Sequence, residues 1–472
     1  MIIRTNSIIR IWSPPANFRK AIEQRLTKDN PQYIKMLKMG KMGYGVPQEV
    51  KFYECGPDGE LVLPRGLLDD IKASFANAND IDVTWIGAME EGEDVDYNSQ
   101  ITLRPYQSPA VDAVKKHKQG VIVMPCGAGK TETGLQIIAE LGKPALWVTH
   151  TKDLLAQSMN RAKDKLGLTG NQIGQIGGGK WSIGTHITFA TVQSLAHQDL
   201  NSMCRKFGAI VIDECHRAFI SPTKAGVFQK VINQFPAQYR VGLTASEHRA
   251  DGLLDGMYYL IGPKIYEVKQ EELNKLNNVV KPTVKPILTD FKAAANKDEY
   301  GAILAEMIAN EKRNALILSL LRNSLTAPEN SVLVLSDRLE HLEKLKAALL
   351  FTNPGIETVF VSRKTPARQR VAALQSVRDG TARVLFATYT LAKEGLDIPR
   401  LNRLIMCTPH RDKVCTQQSV GRIMRPAEGK TDAVVYDLLD GAIGLMKSQY
   451  YGRRAVYKEI GCEIEQPRKG RK

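Results

Sequence analysis

The stretch Met124-Pro-Cys-Gly-Ala-Gly-Lys-Thr131 has the residue types of a phosphate-binding loop. Gly127 and Gly129 allow the backbone to curl so that several N–H groups point inward, and the start of a following helix adds a partial positive charge. Lys130 can then reach the β- and γ-phosphates of a nucleotide, and Thr131 can ligate Mg²⁺. An ordinary Gly-rich turn is the alternative for a motif this short.

A second stretch, Ile210-Val-Ile-Asp-Glu-Cys-His216, is an apolar run that ends in two adjacent carboxylates. Asp213 could hold Mg²⁺ at the carboxyl end of a strand, and Glu214 could orient and deprotonate an attacking water molecule. His216 either packs as an ordinary histidine or couples the nucleotide state to Thr244-Ala-Ser246. The neighbouring carboxylates favour the coupling role.

A third stretch, Gln418-Ser-Val-Gly-Arg-Ile-Met-Arg425, has helical spacing that brings Gln418, Arg422 and Arg425 close to one face. Planar, permanently charged guanidinium groups suit a site where negative charge develops on a γ-phosphate. Taken alone, the octapeptide is more typical of a surface helix with salt bridges. The phosphate-binding loop and the paired carboxylates favour the catalytic interpretation.

These motifs lie among short apolar runs, which alternate with helical patterns from residue 101 onward. The first series of predicted strands is Gly120–Met124, Ala145–Thr149, Ile187–Thr191, Ala209–Ile212 and Arg240–Leu243. The second series is Val284–Thr289, Ser331–Leu335, Glu357–Val361, Arg383–Phe386, Leu404–Met406 and Ala433–Tyr436. The alternation predicts an α/β fold with two parallel-sheet domains in tandem and a ligand-binding cleft between them.

The N-terminal segment 1–42 is basic, with nine lysines and arginines against Glu23 and Asp29. Tyr33 and Tyr44 lie within or beside it. This composition suits a surface that follows a phosphate backbone and stacks on a base. A solvated face with structural tyrosines is the alternative.

The rest of the N-terminal region has short alternating and helical patterns. Residues 50–63 predict a β-hairpin around Gly56-Pro-Asp-Gly59, and Leu67–Phe75 predicts a helix. Residues 1–89 are therefore expected to form a small α+β domain, followed by an acidic linker over 90–100.

Composition narrows the class of protein. The chain has 472 residues, 43% of them hydrophobic and 24% charged, which is ordinary for a globular protein. No apolar run approaches the ~20 residues that span a bilayer, so a cytoplasmic protein without membrane contact is expected. Seven cysteines without paired spacing indicate reduced thiols. A net charge of +15 favours a polyanionic partner, with a solvated basic surface as the alternative.

Four motifs together resemble a known family. Pro125–Thr131, Asp213–His216, Thr244–Ser246 and Gln418–Arg425 are similar, in this order, to motifs I, II, III and VI of the superfamily 2 helicases of the DExH type. Within that superfamily the chain is most similar to the phage branched-DNA helicases of the T4 UvsW and T5-like group, which are related to the XPB/Rad25 helicases. Leu103-Arg-Pro-Tyr-Gln107 and Val62-Leu-Pro-Arg-Gly66 add to this resemblance.

The resemblance implies a domain plan and a set of site residues. The resemblance covers about 101–441 and implies two RecA-like domains, 101–281, which binds ATP, and 282–441, with 1–89 as an accessory DNA-binding domain. Composition predicts the linker (90–100) and a tail (442–472) that is helical at first and ends in a disordered basic stretch, Pro467–Lys472. The implied ATP-binding residues are Arg104, Gln107, Pro125, Cys126, Gly127, Ala128, Gly129, Lys130, Thr131 and Asp397. The implied nucleic-acid contacts are Thr149, His150, Lys152, Thr191, Gln193, Ser336, Arg338, Arg363 and Thr388, with strand-end capping as the alternative for each.

Three features depart from the family pattern. Pro125 replaces the first Gly of the commonest phosphate-loop pattern, and Cys215 with His216 gives DECH where many relatives have DEAH. An equivalent of the extra XPB-specific motifs is not evident, which weakens the expectation of an XPB-like opening mechanism.

The expected protein is a monomeric, Mg²⁺- and ATP-dependent DNA helicase or translocase that acts on forks and Holliday junctions. The resemblance implies a part in phage replication, recombination or repair. The alternatives are a double-strand DNA translocase, a DExH RNA remodeller, and a binding protein that uses ATP to change its affinity without unwinding.

Overall fold

The structure is a computed structural model that describes residues 1–40, 45–76, 82–125, 127–218, 226–247, 252–275, 280–295, 299–362, 364–393 and 396–469. The chain divides into two compact units, one that comprises Met1–Pro125 and Gly129–Val268 and one that includes Lys269–Lys472. In the described residues, no helix is long and apolar enough to cross a bilayer.

The N-terminal region contains a mixed sheet and three helices. Its strands are β1 (Ile2–Thr5), β2 (Ile8–Trp12), β3 (Thr27–Asp29), β4 (Glu49–Lys51), β5 (Glu54–Cys55), β6 (Leu61–Pro64) and β7 (Thr84–Gly87). Its helices are α1 (Ala16–Arg25), α2 (Pro31–Lys38) and α3 (Leu68–Phe75). The sheet order is β5-β6-β2-β1-β7, with β1 parallel to β7 and the other pairs antiparallel.

The predicted N-terminal hairpin is only partly right. The turn at 56–59 does connect two antiparallel strands, but β5 rather than residues 50–53 pairs with β6. The predicted first strand instead contributes β4, which pairs with β3 in a separate ladder. The helix predicted over Leu67–Phe75 is present as α3.

A predominantly parallel sheet follows in the first unit. Its strands are β8 (Gln119–Val123), β9 (Ala145–Thr149), β10 (Ile173–Gly177), β11 (Lys180–Ser182), β12 (Ile187–Thr191), β13 (Ala209–Asp213), β14 (Tyr239–Thr244) and β15 (Lys264–Glu267). Its helices are α4 (Ser108–His117), α5 (Lys130–Leu141), α6 (Lys152–Leu166), α7 (Val192–Ala196), α8 (Val227–Ile232) and α9 (Asp255–Ile261). The strand order is β11-β10-β12-β9-β13-β14-β8-β15, and every ladder except β10–β11 is parallel.

The N-terminal sheet and this parallel sheet share one hydrophobic core, which contains Ile9 and Leu63 as well as Val121 and Ile210. Two buried arginines join them. Arg65 donates to Gln119 Oε1 at 3.0 Å and to the carbonyls of Ala237 and Gln238. Arg240 donates to Ser7 O at 3.0 Å and to Leu260 O at 2.9 Å. Residues 1–76 therefore fold against the parallel sheet, while the predicted boundaries at 89 and 100 stay predictions.

The acidic segment 90–100 packs along the first unit rather than hanging free. Glu90 forms a parallel bridge with Ala237, and Val95 N donates to Gly142 O at 2.9 Å. The Tyr97 hydroxyl lies 2.9 Å from the carbonyl oxygens of both Lys143 and His186. The backbone of this segment is therefore anchored, and its acidic side chains from Glu91 onward are exposed.

The second unit is also an α/β sheet. Its strands are β16 (Pro282–Leu288), β17 (Val332–Ser336), β18 (Thr358–Val361), β19 (Val384–Thr388), β20 (Arg403–Met406), β21 (Ala433–Leu439), β22 (Glu463–Ile464) and β23 (Arg468–Lys469). Its helices are α10 (Gln270–Lys275), α11 (Tyr300–Ala309), α12 (Glu311–Leu325), α13 (Leu339–Thr352), α14 (Ala367–Arg378), α15 (Tyr389–Lys393), α16 (Lys413–Gly421) and α17 (Gly444–Glu459). The order is β18-β19-β17-β20-β21-β16-β22, β23 also pairs with β16, and the ladders are parallel.

The C-terminal segment belongs to this sheet, so the prediction of a disordered basic end is wrong for Arg468 and Lys469, which form β23. Arg453 of α17 pairs with Asp437 at 2.8 Å, and both side chains are buried. The predicted fold class, two tandem parallel-sheet α/β domains, is confirmed, because every predicted strand of both series is present within three residues of its expected ends.

Candidate ATP hydrolysis site

The loop after β8 has the backbone shape that its glycines predict. Gly127 and Gly129 adopt φ values of 86° and 81°, in the left-handed region that side chains disfavour. Gly129 then precedes α5, whose first turn carries free N–H groups toward the loop. Lys130 Nζ lies 3.4 Å from Met124 O, at the opposite end of the same loop. The Lys130 ammonium therefore reaches from the start of α5 back to the first residue of the loop, while Cys126 lies outside the described residues.

Gln107 supports the loop from the side. It is buried, its Oε1 accepts from Arg104 N at 2.8 Å, and its Nε2 lies 3.4 Å from Gly129 O. A Cβ at Gly129 would lie 2.5 Å from Gln107 Nε2 and would sit on a backbone with φ 81°, so a side chain there would be strained and would displace the Gln107 amide. Arg104 donates to the Tyr106 hydroxyl at 2.8 Å. Of these two predicted ATP-binding residues, Gln107 therefore contacts the phosphate loop directly, and Arg104 contacts Gln107.

The two carboxylates lie at the carboxyl end of β13. Asp213 is the last strand residue, and its Oδ1 accepts from Glu214 N at 3.0 Å. Glu214 has φ 51° and ψ 48°, a left-handed conformation that costs a non-glycine residue roughly 1–2 kcal/mol. Such strain persists where surrounding structure imposes it.

Burial sets the ionisation of this pair. Burial, followed by the Glu214 charge, raises the pKa of Asp213 to about 7, against an opposing effect of Lys130. Burial also acts to raise the pKa of Glu214, but Lys130 and His216 outweigh it and lower that pKa. Glu214 is therefore the carboxylate that stays ionised, as a proton acceptor must be.

His216 connects the carboxylates to the end of β14. Its Nδ1 lies 3.1 Å from Thr244 Oγ1 and 3.3 Å from Glu214 Oε2. Thr244 Oγ1 also accepts from Ser246 N at 3.2 Å. The three predicted coupling residues thus form one continuous set of contacts with Glu214.

The residues fit Mg²⁺ together with a nucleotide. Asp213 and Thr131 offer hard oxygen donors, which Mg²⁺ prefers, and the buried Asp213 carboxylate is held in a setting that a cation would relieve. In the described part of the chain, no group of three or more His, Cys, Asp or Glu could hold a metal by itself. Phosphate oxygens and water would complete the coordination shell, as is common for this ion.

In the second unit, α16 ends at Gly421, which corrects one expectation. Arg422 is the C-cap residue and Arg425 lies beyond the helix, so the predicted continuous helical face does not extend to Arg425. Arg422 donates to Ala392 O at 2.9 Å and to Leu396 O at 3.1 Å, while Arg425 pairs with Asp397. Gln418 is buried, and its Oε1 lacks a hydrogen-bond partner among the described residues.

Sequence reasoning missed Lys430, which holds this arginine segment. Its ammonium donates to Pro399 O at 3.0 Å, Leu401 O at 2.6 Å and Arg425 O at 2.8 Å. It thus ties the Arg425 backbone to the loop after Asp397. A lysine five residues after an arginine carries no pattern that marks such a role.

The predicted nucleic-acid contacts divide by exposure. The hydroxyls of Thr149, Thr191 and Ser336 are buried and bond within the chain, to Thr151 O and to the side chains of Ser194 and His341 respectively. Lys152, Gln193 and Arg338 are exposed, His150 and Thr388 are half-buried, and Arg363 lies outside the described residues. Gln193 Nε2 donates to His150 O at 3.2 Å, which joins two of the predicted segments. Contact with nucleic acid stays a prediction for all of them.

Two family models match the chain. Residues 100–249 match the res subunit of type III restriction enzymes, and residues 312–427 match the helicase conserved C-terminal domain. Helicase domains of this kind imply ATP use, typically with Mg²⁺.

Curated relatives extend over most of the chain. A DNA 3'-5' translocase, XPB2 of Sulfurisphaera tokodaii, is 31% identical over 69% of this chain and 79% of its own length. A protein of Escherichia phage T5 named as a helicase is 26% identical over 71% of this chain and 70% of its own length. A protein of Acanthamoeba polyphaga mimivirus named as an ATP-dependent RNA helicase is 27% identical over 77% and 69%.

A solved structure agrees in fold with this chain. S. cerevisiae Dbp5 bound to RNA and ADP BeF3 aligns with a TM-score of 0.55 at 15% identity, covering 77% of this chain and 89% of that one. The crystal structure of T4 UvsW covers 99% of both chains at 16% identity with a TM-score of 0.43. From the identity to the archaeal translocase across most of its length, the chain belongs to the superfamily 2 helicases related to XPB.

Proposed function

We propose that the protein is an ATP-dependent DNA helicase or translocase that acts on branched DNA. The observation that carries the DNA assignment is the 31% identical relative named as a DNA 3'-5' translocase, which this chain matches over 79% of its length. The preference for forks and junctions rests on the sequence resemblance to phage branched-DNA helicases.

The proposed chemistry starts from the phosphate loop and the two carboxylates. Lys130 and the N–H groups at the start of α5 offset the charge of the triphosphate. Thr131 and Asp213 would hold Mg²⁺, which supplies charge neutralisation between the β- and γ-phosphates when bound. Glu214, the ionised carboxylate, accepts the proton of the attacking water. Arg422 and Arg425 are proposed to stabilise the charge that develops on the γ-phosphate.

The His216–Thr244 contact gives this proposal a route from chemistry to nucleic acid. Glu214 changes its surroundings when the γ-phosphate leaves, and His216 Nδ1 lies 3.3 Å from Glu214 and 3.1 Å from Thr244. A change at Glu214 can therefore alter the contacts of the turn after β14 through His216. Asp397, paired with Arg425, would bind the ribose when that arginine engages the nucleotide.

The charge distribution bears on where nucleic acid binds. Residues 269–472 hold 34 Lys and Arg against 23 Asp and Glu, while residues 1–268 hold 31 against 27. Within residues 1–89, 12 basic residues face 10 acidic ones, so the acidic residues of 43–89 offset the basic N-terminus. Charge therefore supports the second unit as the main phosphate-binding surface more than it supports the N-terminal region.

RNA remodelling is the second candidate, because one relative at 27% identity is named as an RNA helicase. Matched fork, four-way junction, blunt duplex and RNA fork substrates separate the two. The proposal expects ATP-dependent strand separation on the DNA fork and junction, with Glu214→Gln as an inactive control that retains ATP binding. Preferential unwinding of the RNA fork would favour the RNA remodeller. If the protein displaces a third strand bound to the blunt duplex but does not separate the duplex strands, a double-strand translocase is favoured. If ATP changes only the affinity of the protein for nucleic acid, a binding switch is favoured.

A further inference from the structure

Glu247 directly follows Thr244-Ala-Ser246, and both of its carboxylate oxygens accept hydrogen bonds. The Tyr258 hydroxyl of α9 donates to Glu247 Oε1, and Lys264 Nζ of β15 donates to Glu247 Oε2 at 3.0 Å. Burial, together with the hydrogen bond to Glu247, raises the pKa of Tyr258, so the hydroxyl stays a donor. The turn after β14 is thus attached to α9 through a charged hydrogen bond, which is among the stronger kinds.

Helix α9 also contacts the segment that carries the two carboxylates. Cys215 Sγ, between Glu214 and His216, lies 3.7 Å from Met257 Sδ, and both side chains are buried. A Cβ at Gly242 would meet Cys215 Sγ at 2.8 Å and Ile261 Cδ1 at 3.1 Å, so the packing has no spare room. Two consecutive residues of α9, Met257 and Tyr258, therefore contact the carboxylate segment and the turn after β14.

The other side of α9 is covered by the N-terminal region. The Phe52 and Tyr259 rings pack edge to face with centroids 5.2 Å apart, and Lys28 lies 3.5 Å from Asp255. Gly66 approaches so closely that a Cβ there would lie 2.2 Å from Tyr258 O. Displacement of the N-terminal sheet would therefore move the α9 backbone at the residue that holds Glu247.

We propose that Tyr258 is a positioning residue for the turn Thr244–Ser246, and that α9 transmits the state of the N-terminal region to the hydrolysis site through Tyr258 and Glu247. This inference rests on the proposed function, because it concerns the stimulation of ATP hydrolysis by nucleic acid. The test measures the energetic coupling between the two ends of this route.

The test compares Tyr258→Phe, which removes only the hydroxyl, and Glu247→Gln, which keeps the side-chain length, singly and together. Tyr97→Phe is the matched control, because it also removes a hydrogen-bonded hydroxyl from the first unit, and the acceptors of that hydroxyl, Lys143 O and His186 O, are outside α9. The inference expects Tyr258→Phe to lower nucleic-acid-stimulated kcat about three- to tenfold. The ATP KM and the unstimulated rate stay within twofold, and the double variant loses no more than the larger single loss.

Gly66→Ala tests the route from the N-terminal side. Tryptophan fluorescence first verifies that the variant is folded, since Trp12, Trp85, Trp147 and Trp181 all lie in the first unit. It is then expected to reproduce the loss seen with Tyr258→Phe, and to add little when combined with it. If Gly66→Ala does not fold, Phe52→Leu at the same contact replaces it.

The outcomes are distinguishable. If nucleic acid does not stimulate ATP hydrolysis by the original protein, the proposed function itself is refuted. A stimulated original protein with an unchanged Tyr258→Phe variant, or with equal losses in Tyr258→Phe and Tyr97→Phe, refutes the positioning role. Additive losses in the Gly66 and Tyr258 double variant refute transmission through α9.

Discussion

Replacing Asp213 by Asn should stabilise the protein in the absence of Mg²⁺ and nucleotide, although it should abolish hydrolysis. Burial, with the Glu214 charge, raises the pKa of Asp213 from 3.8 to about 7. Between pH 4 and 7 the folded protein therefore holds a proton at Asp213 that is released when the chain unfolds. The stabilisation from this group is fully present below pH 3.8 and is lost as the pH rises through about 7.

The size of the effect follows from the shift. About three pH units correspond to on the order of 4 kcal/mol, since each unit is worth about 1.4 kcal/mol. Asn stays neutral at every pH and can keep the hydrogen bond that Asp213 Oδ1 accepts from Glu214 N. The free energy of unfolding of Asp213→Asn should exceed that of the original protein by a difference that grows from pH 4 to 7 and then levels off.

Urea unfolding in EDTA at pH 5, 6, 7 and 8 measures this difference. Tryptophan fluorescence follows the first unit alone, because residues 269–472 contain no tryptophan. Asp164→Asn, at an exposed position on α6, serves as the control and should be neutral at each pH. A difference that is constant with pH, or a destabilised variant at pH 8, would refute the reasoning. Adding Mg²⁺ and ADP should then stabilise the original protein more than the variant.

Three further predictions concern catalysis. Lys130→Ala and Glu214→Gln should each abolish ATP hydrolysis while leaving DNA binding, measured by fluorescence anisotropy, largely intact; hydrolysis within a few-fold of the original would contradict the site assignment. Arg425→Ala should lower turnover ~10³-fold with little loss of ATP binding, because an arginine finger acts in the transition state; equal losses in affinity and turnover would indicate ground-state binding. Lys430→Met should lower turnover about tenfold, and Lys430→Arg should restore it. Burial lowers the pKa of Lys430 to about 7, so the original protein should lose activity above that pH while Lys430→Arg does not.

Much of the fold could be predicted from the sequence because its central strands are buried on both faces. Residues 145–149 and 332–336 are fully buried, and such strands appear as continuous apolar runs. The strands at or near the sheet edges could not be predicted, because they lack such a run. β10 contains two glycines among its five residues, and β15 reads Lys-Ile-Tyr-Glu, so neither stands out from a loop. β22 and β23 are two residues each and depend on pairing with β16.

The candidate site divides in the same way. The loop glycines and the adjacent carboxylates can be recognised in the sequence, because a few neighbouring residues determine both the backbone shape and the chemistry. Side chains that act over long sequence separations do not. Arg65 reaches residues more than 170 positions away, and Tyr258 reaches the turn after β14 only because α9 packs beside it.

The position of Arg65 changes how the N-terminal region should be tested. It is 1% exposed, lies within Val62-Leu-Pro-Arg-Gly66, and donates to groups of the parallel sheet. Removal of residues 1–89 would also deprive buried Arg240 of its Ser7 acceptor and open the shared core, so a chain beginning near Ser99 is expected to lose stability along with any DNA contact. Loss of junction preference in such a truncation would thus not distinguish DNA binding from unfolding. Substitutions at exposed Lys20 or Lys38, which leave this interface intact, make that distinction. If a fully folded variant binds the junction with a reduced salt dependence, the substituted lysine contacts DNA. Each lost phosphate contact lowers the slope of log affinity against log salt concentration by ~0.9 on duplex DNA.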